Sequence, residues 1–90
     1  MANHKSAIKR AKQSEQNRVR NRSRRTRMKH AIKSLEEALV SQNSELALSR
    51  LKEAVSVIDK TASKGVIHRN LASRKISRLT RKVNALEELA

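Results

Sequence analysis

The chain has 90 residues, with no Phe, Tyr, Trp, Cys or Pro and a single glycine, Gly65; 22 Lys and Arg against 8 Asp and Glu leave a net charge of +14. A domain this small buries only about 60% of its unfolded surface, which argues against an enclosed pocket walled by two layers, and the lack of cysteine excludes a disulfide framework or thiolate metal site. So strong a positive field repels itself unless an anionic partner neutralises it, and nucleic acid is the usual one.

Ala, Leu, Lys, Arg and Glu favour helices, and with no proline and one glycine almost nothing interrupts them. The composition therefore predicts an all-α fold. Charge divides the chain into three parts. Residues 1–33 carry twelve bases and one acid, Glu15, for +11; residues 34–63 carry −2 and residues 64–90 carry +5.

The first helix is expected from about Ser6 to Val40, on the order of 50 Å at ~1.5 Å per residue. Met28, Ala31, Ile32, Leu35, Ala38 and Leu39 follow i, i+3, i+4 spacing and form one apolar stripe, with Lys29 and Lys33 pointing away from it. Before Met28 the stripe stops: Ala7, Ile8, Ala11 and Val19 project to another side and are too sparse for a core. Ser41-Gln42-Asn43-Ser44 reads as a turn, with Asn43 or Ser44 as the cap of the next helix and Glu45 in its favourable first turn. The second helix is expected to reach about Ala62, with Leu48, Leu51, Val55, Ile58 and Ala62 as its core seam. Lys64-Gly65 then reads as a stop, Gly65 taking the left-handed conformation. A third helix begins between Val66 and Asn70, with Ala72, Ile76, Leu79, Val83 and Leu86 inward and Arg74, Lys75, Arg78, Arg81 and Lys82 on a separate face.

Short connections make these helices antiparallel neighbours. The expected architecture is an antiparallel three-helix bundle with a long first helix whose N-terminal half projects beyond it: one domain, 1–90, with 1–27 a basic projecting arm and 28–90 the bundle. The second and third helices are too short to cover the arm. An arm without a buried face has little reason to stay helical by itself.

The arm is rich in arginine over 18–27, and the planar guanidinium binds phosphate bidentately and stacks on bases, as lysine cannot. Its bases point to several sides, which suits folded RNA, where strands approach from many directions. It suits a membrane surface poorly, because interfacial helices need a continuous apolar face. Asn17, Asn21, Ser14, Ser23 and Thr26 supply neutral donors for phosphate or sugar oxygens. With no aromatic platform for single strands, recognition is expected to rest on backbone contacts and shape. A disordered basic tail is the plainer alternative, but the segment lacks Gly and Pro and adjoins a clear helix. A basic leucine zipper is another; it needs three or four sustained heptads, and the turn at 41–44 interrupts this one.

No chemistry of bond making is legible. His4, His30 and His68 lack metal-ligand spacing; adjacent glutamates such as Glu36 and Glu37 diverge by about 100° on a helix; and the Ser and Thr residues have no partnered base. The expectation is a non-enzymatic protein without catalytic residues, metal or cofactor. No segment has the apolar length of a signal peptide or membrane span, so a cytoplasmic protein is expected.

Two stretches resemble a known family. Met1-Ala2-Asn3-His4-Lys5-Ser6-Ala7, followed by Lys9-Arg10 and the arginine run, resembles the start of the bacterial small-subunit (30S) ribosomal protein S-twenty family. Ala62-Ser63-Lys64-Gly65-Val66-Ile67-His68-Arg69-Asn70, with Ala72, Arg74, Lys75 and Ser77-Arg78-Leu79, resembles that family's most characteristic stretch. The resemblance covers essentially the whole chain, although in Ser34 to Thr61 it is mainly helical pattern and transfers no role. It implies a structural constituent of the small subunit that binds 16S ribosomal RNA directly and stabilises its folding during assembly, through the five-prime domain and the long penultimate helix. Lys5, Lys9, Arg10, Arg18, Arg22, Arg25 and Lys29 would then face RNA from the first helix. Lys64, Gly65, His68, Arg69, Asn70, Arg74, Lys75 and Arg78 would form a second contact region. It further implies other small-subunit components as partners, no membrane or small-molecule substrate, and a monomer when free.

Overall fold

The computed structural model describes residues 2–89, with side-chain surroundings from His4 onward; Met1 and Ala90, which the expected domain limits include, lie outside the described residues. Three helices follow one another: α1, Ala2–Val40; α2, Ser44–Ser63; and α3, Arg69–Leu89. Among the described residues there is no strand. α1 starts four residues before the expected Ser6 and continues unbroken through the arm into the bundle.

Both helix stops follow one pattern. At the end of α2, Gly65 takes φ 76°, its N–H donates to the Ala62 carbonyl at 2.9 Å, and the Val66 N–H donates to the Thr61 carbonyl at 3.2 Å. This pair of bonds around a left-handed residue satisfies carbonyls that the helix leaves unpaired. The end of α1 repeats it without glycine. Gln42 takes φ 58°, its N–H donates to Leu39 at 3.1 Å, and the Asn43 N–H donates to Ala38 at 3.4 Å. Asn43, not Ser44, then caps α2, its side chain accepting the Leu46 N–H at 3.1 Å. α3 begins at Arg69 because His68 caps it, with the imidazole Nδ1 accepting the Asn70 N–H at 3.1 Å.

The core holds Met28, Leu35 and Ala38 from α1, Ala47, Leu51, Ala54 and Ile58 from α2, and Ala72, Leu79 and Val83 from α3. Ala31, Ile32, Leu39, Ile76 and Leu86 pack around it, so the stripes of α1 and α3 stand as expected. The seam of α2 turns by about one position. Leu48 is 40% exposed, while the buried line runs Ala47, Leu51, Ala54, Ile58, Thr61. α2 lies between its neighbours, and α1 and α3 touch each other little. Small Ala47 and Ala54 let those neighbours approach closely, and Val55 and Ala62 fall to the flank, partly buried against the core. The Thr61 hydroxyl is satisfied within its own helix, donating to the Val57 carbonyl at 2.7 Å.

Arg24 and Arg27 of α1 line one groove with Val57, Lys60, Thr61 and Lys64 at the far end of α2, so the chain doubles back after Val40. The molecule measures 68 × 21 × 14 Å with a radius of gyration of 18.0 Å, against about 12 Å for a compact domain of this length. The excess is the arm: every residue from His4 to Arg20 is exposed, and partial burial starts at Asn21 and Arg24.

Candidate nucleic-acid interface

Because α1 is one continuous helix, the directions of its bases follow from about 100° per residue. Arg18, Arg22, Arg25 and Lys29 share a stripe roughly 60° wide. Lys9, Arg20 and Arg27 gather on nearly the opposite side, beside the groove shared with α2. Between these stripes, on the side turned away from the core, residues 4–27 leave a narrow strip without bases, Ile8, Glu15, Val19 and Thr26, which Lys33 closes farther along α1. Ile8 and Val19 stand 50% and 59% exposed there. The bases thus occupy most directions, and that strip interrupts them.

Among the described residues only two ion pairs form, Arg18 to Glu15 at 2.8 Å and Arg50 to Glu53 at 3.4 Å, each within one helix. The hydrogen bond from Arg18, and then its charge, hold the Glu15 carboxyl below the ordinary carboxylate range; the same contact raises Arg18. Both groups face solvent, so the pair adds little to stability. No other Lys or Arg of the described residues has a carboxylate partner, which leaves these side chains available to phosphate. One of the neutral donors is already engaged, Thr26 donating its hydroxyl to the Arg22 carbonyl at 3.0 Å, while Asn21 accepts from Arg24 at 3.4 Å through its amide oxygen and keeps its amide nitrogen to donate.

Of the residues expected to face RNA from the first helix, Lys5, Lys9, Arg10 and Arg18 lie on the fully exposed arm, and Arg22, Arg25 and Lys29 are exposed where α1 enters the bundle. In the second region, Lys64 ends α2, Gly65 makes the turn, and His68, Arg69 and Asn70 begin α3, all exposed. A Cβ added at Gly65 would meet nothing within 4 Å, so the backbone turn alone explains its glycine. Lys75 and Arg78 line a groove with Ile32, Glu36, Leu79 and Lys82 between α1 and α3, while Arg74 is exposed on the outer side of α3.

The fold draws the two regions together. Lys64 shares its groove with Arg24, Arg27 and Lys60, so four cations from two helices converge where the arm leaves the bundle. Arg24, Arg27 and Lys60 were not among the expected contacts. Their spacing, i+3 on α1 and i+4 between Lys60 and Lys64, puts each pair on one face. Their convergence depends on the register of α2 against α1, which no local pattern carries. Unlike the outer part of the arm, these side chains share their groove with Val57 and Thr61 of α2 and so stand against the bundle. Such an arrangement can neutralise several phosphates at once and release their counterions.

Among the described residues no group of three or more His, Cys, Asp or Glu could hold a metal ion, and no helix is long and apolar enough to cross a membrane. The sequence model of one family, ribosomal protein S20, matches residues 2–84. The chain is 67% identical over 86 residues to the small ribosomal subunit protein bS20 of Syntrophobacter fumaroxidans, which spans 96% of this chain and 100% of that protein. The proteins of the same name from Desulfatibacillum aliphaticivorans and Oleidesulfovibrio alaskensis are 56% and 53% identical, across 96% and 97% of this chain and 98% and 100% of their own lengths.

Proposed function

From a chain that belongs to the ribosomal protein S20 family, we infer a structural constituent of the small ribosomal subunit that binds 16S ribosomal RNA directly and stabilises its folding during assembly. The family is one of structural ribosomal proteins, not of enzymes. The observation that carries direct RNA binding is the set of exposed cations without carboxylate partners, on the arm and at its junction with α2.

In this reading the bundle, 28–90, docks as a rigid body through Lys64, Gly65, His68, Arg69, Asn70, Arg74, Lys75 and Arg78. The arm, 1–27, then follows the RNA surface through Lys5, Lys9, Arg10, Arg18, Arg22 and Arg25, with Lys29 beside them. Its two stripes face roughly opposite ways and so engage two RNA segments, the five-prime domain and the long penultimate helix. The lack of aromatic residues favours recognition of shape and backbone over unstacked bases. Ultraviolet crosslinking in cells, followed by sequencing of the bound nucleic acid, tests this. Recovery of those two 16S regions is the expected result; enrichment of DNA or messenger RNA would overturn it.

A further inference from the structure

Five of the eight acids, Glu36, Glu37, Glu45, Glu87 and Glu88, lie in residues 34–49 and 83–89, two stretches that hold no Lys or Arg. The topology brings both stretches to one end of the molecule: the last turns of α1, the start of α2 and the last turns of α3. All five glutamates are exposed and none is in an ion pair. This end carries −5 while the rest of the chain carries +19. It is also tipped with apolar side chains, Val40 at 84% and Leu89 at 85% exposure.

We propose that this acidic end is an RNA-excluding end, which sets the direction in which the chain docks by repelling phosphate from the part of the bundle farthest from the arm. The inference rests on RNA binding as read above. At physiological ionic strength charges are screened beyond about 8 Å. Along a molecule 68 Å long, the arm therefore cannot mask the sign of the opposite end. The C-termini of α1 and α3 add partial negative charge there, and Glu45 in the first turn of α2 offsets the one opposing helix terminus. Acids that served only to moderate net charge would work anywhere on the surface. Here they are gathered in stretches with no base of their own, in a chain with 22 Lys and Arg among 90 residues; Glu36 marks the border, sharing a groove with Lys75, Arg78 and Lys82 of α3. Exposed Val40 and Leu89 offer nothing to a phosphate backbone either. Beyond that border the end is unsuited to RNA, and its opposite is suited to it.

The chain has no cysteine, so single Gln13→Cys and Asn84→Cys variants can each carry a tethered iron–EDTA probe, on the arm and at the acidic end. Bound to 16S ribosomal RNA, the Gln13→Cys probe should cleave the RNA backbone strongly and the Asn84→Cys probe weakly or not at all. Changing Glu36, Glu37, Glu45, Glu87 and Glu88 to Gln should bring out cleavage from Asn84→Cys. It should also tighten binding to an unrelated RNA about tenfold at low salt, with a salt slope steeper by about 0.7–0.9 for each phosphate gained. A second variant that keeps Glu45, so that the first turn of α2 is untouched, should show most of the same change. Equal cleavage from both positions in the native chain overturns the inference alone, as does an unchanged pattern in a neutralised variant that keeps its helicity. Absence of cleavage from Gln13→Cys as well would strike the RNA-binding reading itself.

Discussion

The imidazole Nδ1 of His68 accepts the backbone N–H of Asn70 at 3.1 Å, so one residue read as RNA-facing also holds the backbone of another in the first turn of α3. The bond requires Nδ1 to be unprotonated, which leaves the donor on Nε2 at the exposed edge of the ring. Cap and contact are therefore separable. His68→Ala should lower stability by about 0.5–2 kcal/mol through loss of the cap, a fall in melting temperature of roughly 4–8 °C per kcal/mol in a domain this size. His68→Asn restores a cap and should melt like the parent. If RNA affinity still drops in the Asn variant, the loss measures the ring's contact with RNA.

Gln42 and Gly65 occupy equivalent left-handed positions at the ends of α1 and α2, with φ 58° and 76°. Glycine relieves the left-handed strain but makes the unfolded chain more flexible. Gln42→Gly should raise stability, and Gly65→Ala should lower it, each by about 0.5–1 kcal/mol. The space around Gly65 is open, so the effect of Ala there on stability should be purely conformational. Paired melting curves check both.

The turned seam of α2 predicts a contrast. Leu51→Ala and Leu79→Ala, both buried, should weaken the bundle by about 2–5 kcal/mol. Leu48→Ala, at 40% exposure, should stay within a kcal/mol or so, as surface changes usually do. Denaturant melts of the three variants decide whether the seam runs through 47, 51, 54 and 58 or through 48.

Glu15 is the only acid in residues 1–33, and Arg18 holds its carboxyl below the ordinary carboxylate range. A lowered folded value means the pair's contribution is complete above the unfolded value and is lost as pH falls through the folded one. The helicity of the arm should therefore be flat from neutral to mildly acidic pH. It should drop slightly only below the ordinary carboxylate range, and Glu15→Gln should remove that drop. A side-chain carboxyl titration by NMR should place the Glu15 midpoint below the ordinary carboxylate range.

The cleft at the root of the arm predicts an even loss of electrostatic binding. RNA affinity should fall by about 10³–10⁵ between roughly 50 and 200 mM salt if about 6–10 phosphates are contacted, on the scale known for duplex DNA. Arg27→Ala and Lys60→Ala should each weaken binding and reduce the salt slope by about 1, without favouring one RNA sequence over another. Both side chains lie outside the core, so melting temperature should hold. A slope unaffected by both changes would remove the cleft from the interface.

Composition and local spacing carry far in this chain. Helical content, the number of helices, the stop at Gly65, the inward stripes of α1 and α3 and the basic arm all depend on residues within one or two turns of each other, where propensity and 3.6-residue periodicity act directly. Identity was legible too, because the Met1–Ala7 and Ala62–Asn70 motifs are contiguous. Tertiary structure alone decided which face of α2 is buried, since Ala47 and Leu48 differ by one position and only close approach to two neighbours favours the smaller. It also decided that Lys64 and Lys60 meet Arg24 and Arg27, and that Glu36, Glu37, Glu45, Glu87 and Glu88 share one end. These are relations of register between helices far apart in the chain. They are set by how the bundle packs, while the outline of an arginine-rich arm on a helical core was already present in the order of the residues.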